Sequence, residues 1–233
     1  MFTKARTSAV VAEFIGTFVL ALAVLTVSKS SLNLPFFVSV TAGLVVASMM
    51  LLFGRVSGAQ LNPAITLGLL SLRKVTALRA GGYIIAQLIG GLLAYYLFAY
   101  FSGQRWHNAS QFHAKFFVAE ALGAILFSLA WSAIVIQRLE STKAAALVGF
   151  VLIVALVVMS SVGVVTLNPA VALGTRSWVW GSTVIGPIVG AIVGFQVYKL
   201  LFAPDLVQAR ESVAQKPLPR SNSLQTQRPK QVR

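Results

Sequence analysis

The sequence contains no cysteine, which excludes a disulfide framework, thiol chemistry and cysteine metal sites. Acidic residues are almost as scarce: five in 233 residues, too few to solvate a globule of that size. Charged residues of both signs make up only 10% of the chain, against about a quarter in a soluble domain. The counterpart of this deficit is a hydrophobic content of 57%. Several apolar runs approach or exceed ~18 residues, the length that crosses a bilayer. The chain therefore reads as a polytopic membrane protein. There is no nucleophile–base set, phosphate loop or metal-ligand spacing, so no enzyme, cofactor or metal site is expected. The formal charge of +14 does not call for nucleic acid. The basic residues sit between and after the apolar runs, as positive-inside topology requires.

Six spans are expected, at roughly residues 8–27, 35–53, 78–101, 112–136, 144–162 and 178–202. The first is read as retained: its apolar run is long for a signal peptide and holds Glu13. With both termini cytoplasmic, the inside carries 15 Lys and Arg, including Arg55, Arg73, Lys74, Arg79 and Arg138. The outside carries 4: Lys29, Arg105, Lys115 and Arg176. That asymmetry sets the orientation. From about Pro204 the chain is rich in Gln, Ser, Pro and basic residues, and residues 204–233 read as a disordered cytoplasmic tail.

One short stretch occurs twice. The first copy is SGAQLNPAITLG, centred on Asn62, Pro63 and Ala64; the second is VVTLNPAVALG, centred on Asn168, Pro169 and Ala170. The two motifs are offset by 106 residues, and AEFIGTFVLALA from Ala12 returns as AEALGAILFSLA from Ala119 at an offset of 107. Residues 1–203 thus form one domain of two homologous halves, about 8–101 and 112–203, with three spans each. An odd number of spans inverts the second half, giving an all-α inverted 3+3 repeat.

Asn is a good N-cap and Pro suits the first helical position, so each Asn-Pro-Ala starts a helix. The first has ~9 residues and rises ~14 Å, about half of a ~30 Å hydrocarbon core. Two re-entrant half-helices would then meet near the midplane. The side chains of Asn62 and Asn168 offer donors there. The carbonyls of Gly58, Ala59 and Gln60, and of Gly163, Val164 and Val165, offer a line of acceptors. Extended backbone at that depth is tolerated where it lines a watery path. The positive helix ends disfavour cations and protons.

With AEFIGTF, SGAQLNPAITLG, LRAGGYIIAQLIGG, AEALGAILF and LNPAVALG, the chain resembles the aquaporin and aquaglyceroporin (major intrinsic protein) family over about residues 8–202. The resemblance implies six transmembrane helices in a right-handed bundle plus two half-helices. It also implies a homotetramer in the cell membrane, surrounded by lipid, with one pore per chain. The implied activity is passive passage of water or small uncharged solutes, with ions excluded. In that family, glutamates placed as Glu13 and Glu120 brace the backbone of the re-entrant loops through hydrogen bonds; a proton- or ion-coupling site is the other reading of two acids at membrane depth. Gly16, Gly90, Gly123, Gly190 and Gly194 are expected to permit close helix crossings.

The chain leaves the family pattern at the outer constriction, which falls on Ala42, Leu156, Val165 and Val171. Water-selective members place an aromatic, a histidine, a small residue and an arginine there. Here the aromatic, the histidine and the arginine are missing, and the nearest arginine is Arg176. Small Ala42 and the lost arginine widen the constriction, while a ring of Leu and Val offers no hydrogen bonds and can dewet. On sequence alone two alternatives stand beside a passive channel. One is an ion- or proton-coupled transporter; the other is a closed-pore structural membrane protein.

Overall fold

A backbone at membrane depth has no water to bond, so each apolar run must satisfy its own amides by coiling. In the computed structural model the described residues are 4–107 and 111–214, with side chains described up to Ala203. Helix α1 spans Lys4–Ser28, α2 Pro35–Phe53, α3 Pro63–Ser71, α4 Ala77–Ser102, α5 Ala114–Gln137, α6 Ser141–Met159, α7 Pro169–Gly174 and α8 Gly186–Ala214. Six stretches among the described residues are long and apolar enough to cross a membrane: α1, α2, α4, α5, α6 and Trp180–Ala203. The two short helices between them are α3 and α7, of 9 and 6 residues.

The sixth span opens differently from its expected start at 178. A π-helical segment, Trp180–Ile185, leads into α8. Pro187 stands one residue inside α8 and has no N–H to return to the preceding turn; a wider turn before a proline relieves that mismatch. At its other end α8 continues to Ala214, past the expected tail boundary at Pro204. The remainder of that tail, residues 215–233, lies outside the described residues.

Packing follows the inverted repeat. Helix α1 lies against α4 and α5 against α8, the first and third spans of each half, while α2 and α6 pair across the halves. The short helices interlock the halves: α3 packs on α8, and α7 on α4. Glycines make these approaches possible. A Cβ on Gly149 would lie 2.7 Å from the Gly43 carbonyl, between α6 and α2, and one on Gly174 would lie 2.7 Å from the Gly91 carbonyl, between α7 and α4. Gly90, Gly190 and Gly194 face neighbouring helix backbone in the expected way. Gly16 and Gly123 do something else: a side chain there would strike the side chains of Leu61 and Leu167. They are seats for the residue before each asparagine. Around the outside, Leu44, Leu52, Phe150 and Leu200 are exposed, as an apolar solvent allows.

Candidate pore and its lining

Each half-helix starts from its asparagine. Asn62 Oδ1 accepts from Ala64 N at 2.9 Å, and Asn168 Oδ1 accepts from Ala170 N at 3.0 Å and Val171 N at 3.4 Å. Proline follows each cap, where its missing N–H costs nothing. The residue before each cap takes a left-handed backbone, with φ of 52° at Leu61 and 53° at Leu167. For a leucine that conformation is unfavourable, so something must hold it.

A buried carboxylate holds it in both halves. Glu13, 0% exposed, accepts from Leu61 N at 2.7 Å, Gln60 N at 2.9 Å, Ser57 Oγ at 2.6 Å and Gln87 Nε2 at 2.9 Å. Glu120, 1% exposed, accepts from Leu167 N at 2.6 Å, Thr166 N at 2.8 Å and Thr166 Oγ1 at 3.2 Å. Gln87 also donates to Thr66 Oγ1 at 3.0 Å, and Thr66 donates to Gln60 Oε1 at 2.8 Å. This buried polar cluster extends the Glu13 network onto α4 and α3. The motif spacing does not single out Gln87, although an amide inside an apolar span is itself a signal.

The two motifs are then tied to each other. Asn62 Nδ2 donates to the carbonyl of Leu167 at 2.8 Å, and Asn168 Nδ2 donates to the carbonyl of Leu61 at 2.8 Å. Each amide has a second N–H, and both asparagines line one cavity.

That cavity has a volume of about 320 Å³. It runs from the α1–α2 and α6–α7 connections down to Asn62, Asn168 and Gln60. Ala42, Leu156, Val165 and Val171 all line it. Of the six residues whose carbonyls were expected along the path, Gln60, Gly163, Val164 and Val165 line it, while Gly58 and Ala59 do not. Ala59 is completely buried. Val46 and Leu152 also line the cavity. They lie one helical turn from Ala42 and Leu156, a spacing from which they could have been read.

At the open end, Lys29 lines the cavity and its ammonium sits 3.8 Å from the centroid of the Trp106 ring. Arg176 does not line it. Its Nε donates to the Trp106 carbonyl at 3.3 Å, and its guanidinium lies 4.7 Å from the Tyr95 ring centroid. Tyr95 fixes the same segment through its hydroxyl, which donates to the Trp106 carbonyl at 2.8 Å and accepts from Trp106 N at 3.0 Å.

The chain matches the major intrinsic protein family over residues 2–198. It is 31% identical to Aquaporin Z of Photorhabdus laumondii over 82% of this chain and 96% of that one. It is 26% identical to Aquaporin-4 of Mus musculus over 88% of this chain and 71% of that one. Among solved structures it superposes on the aquaglyceroporin from Plasmodium falciparum with a TM-score of 0.73 and 21% identity, covering 87% of this chain and 99% of the other. That likeness concerns the fold.

Proposed function

The chain belongs to the major intrinsic protein family of passive channels for water or small uncharged solutes, and from that premise we propose that it passes uncharged solutes larger than water, chosen at Ala42, Leu156, Val165 and Val171. The observation that carries this reading is the single 320 Å³ cavity that these four residues line together with Asn62 and Asn168. A water molecule takes about 30 Å³ of liquid volume, so the cavity as a whole holds several such volumes. Ala42 fills little of the ring, and Val171 stands where an arginine would reach across.

The chemistry of the walls supports an uncharged, amphiphilic cargo. Gly163, Val164 and Val165, whose carbonyls are the expected acceptors, line the cavity, and Asn62 and Asn168 each keep an N–H to offer. Much of the remaining wall, including Val24, Val38, Phe127, Leu152 and Leu156, is apolar, with Ser39, Gln60 and Thr175 among the polar residues between them. A small polyol or amide can bond along one side and lay its other face on the apolar wall. An ion would lose its hydration without replacement. Glu13 and Glu120 act as braces: their oxygens are occupied by loop amides and side-chain donors, which suits holding Leu61 and Leu167 and not carrying protons.

The channel domain is 1–203. It works as a homotetramer, with lipid against the exposed apolar faces, in the plasma membrane, and with both termini in the cytoplasm. The resemblance supports the assembly and the excess of basic residues on one side supports the orientation. The test is osmotic swelling of proteoliposomes in glycerol and urea gradients. Faster swelling than empty vesicles is expected for at least one of the two; passage of water alone would overturn the proposal.

A further inference from the structure

The family's outer constriction uses an arginine, and this chain has Val171 in its place. Arg176, the nearest candidate in sequence, is turned away from the cavity and spent on Trp106 and Tyr95. The helix ends are also unequal. α3 has 9 residues but α7 only 6, so the outer half-helix contributes a shorter column of aligned dipoles. With Val171 in place of an arginine, the barrier to cations at the constriction itself is weakened, and the positive helix ends at Asn62 and Asn168 are left to carry most of it.

We propose that Lys29 supplies the missing positive charge and is the residue that discriminates neutral solutes from cations at the outer mouth of this channel. Three observations place it there. Lys29 is among the residues that line the cavity holding the constriction residues. It is perched on the Trp106 ring, 3.8 Å from the centroid, which favours a defined position over free rotation in solvent. Trp106 is in turn anchored from two elements, by the Tyr95 hydroxyl on α4 and by Arg176 after α7. The arrangement is therefore a strut: Arg176 and Tyr95 fix the loop, the loop fixes the indole, and the indole holds the ammonium at the rim.

Among the described residues at this end of the molecule, no acidic side chain faces it. The charged residues there are Lys29, Arg105, Lys115 and Arg176, all basic. The five acids are Glu13 and Glu120, buried at the half-helix junction, and Glu140, Asp205 and Glu211, toward the opposite end. A charge at the mouth of an apolar-walled cavity acts through focused field lines, and more strongly than the same charge on an open surface. Lys29 is solvent-exposed, so its barrier is screened by salt over about 8 Å at physiological ionic strength.

This inference rests on the channel reading, and one pair of solutes separates the two. Urea and guanidinium have nearly the same size and planar shape, and differ by one charge. Their permeabilities are measured in proteoliposomes of the full-length protein, with urea as the reference within each variant. Lys29→Gln is expected to raise the guanidinium-to-urea ratio by about three- to tenfold, and Lys29→Glu to raise it further. Lys115→Gln, which removes a charge at the same end but away from the cavity, is expected to leave the ratio alone. High salt should move the wild-type ratio toward that of Lys29→Gln. An unchanged ratio in both Lys29 variants, with urea still passing, overturns the inference and leaves the channel reading intact. A wild type that passes no uncharged solute overturns both.

Discussion

The side-chain amide of Asn62 donates to the main-chain carbonyl of Leu167, 105 residues away, at 2.8 Å. Asn168 returns the bond to Leu61 at the same distance. Each asparagine thus caps its own half-helix with its oxygen and secures the other half with its nitrogen. The leucines that accept these bonds are the ones held left-handed by Glu13 and Glu120. One junction therefore joins both halves of the chain, and its parts fail together.

Asn168→Ala removes a helix cap, worth about 1 kcal/mol, and leaves the Leu61 carbonyl without its donor, worth about 1–3 kcal/mol. The expected outcome is a loss of about 2–4 kcal/mol, seen as a lower thermal midpoint of the purified protein. Asn62→Ala should behave alike, because its bonds mirror those of Asn168.

Glu13→Gln should be more damaging than Glu120→Gln. Glu13 receives four hydrogen bonds from four donors, one of them on α4, and Glu120 receives three from two adjacent residues. A glutamine places an NH2 against donors in either case. With Glu13 the loss also reaches Gln87 and Thr66, and the expected cost is about 2–4 kcal/mol. Thermal unfolding of the two variants side by side checks the order.

Glycines in α4 should separate by what they face. A Cβ on Gly91 would press into the backbone carbonyl of Ala170, which cannot move without α7. Gly91→Ala is expected to cost about 1–3 kcal/mol. A Cβ on Gly81 meets nothing within 4 Å, so Gly81→Ala should be neutral or stabilising by about 0.5–1 kcal/mol. Equal midpoints for the two variants would contradict the packing of α7 on α4.

Much of this arrangement was legible because it is written in local composition. Apolar runs give the spans, Asn-Pro gives the starts of α3 and α7, and the 106-residue offset gives the inverted halves. What escaped depends on distant partners. NPAITLG and NPAVALG look alike, yet α7 stops at Gly174 while α3 reaches Ser71. Arg176 leaves the helical path, with φ of 59°, and binds a loop 70 residues away. In a topology count Lys29 is one more charge; only the Trp106 ring beneath it distinguishes it from the others. Gly16 and Gly123 suggested helix crossings, but they are pockets for Leu61 and Leu167. Periodicity carries no information about such contacts.

The proposed channel chooses its solute at Ala42, Leu156, Val165 and Val171, which together line the cavity. The most direct test of that choice is the urea-to-water permeability ratio of wild type and Val171→Arg, measured on the same proteoliposome preparation. An arginine at 171 projects from the start of α7 into the cavity. Urea flux should fall by about tenfold while water flux falls much less, since each ~1.4 kcal/mol of added barrier is a factor of ten. A ratio unchanged from wild type, in a variant that still conducts water, would contradict the claim.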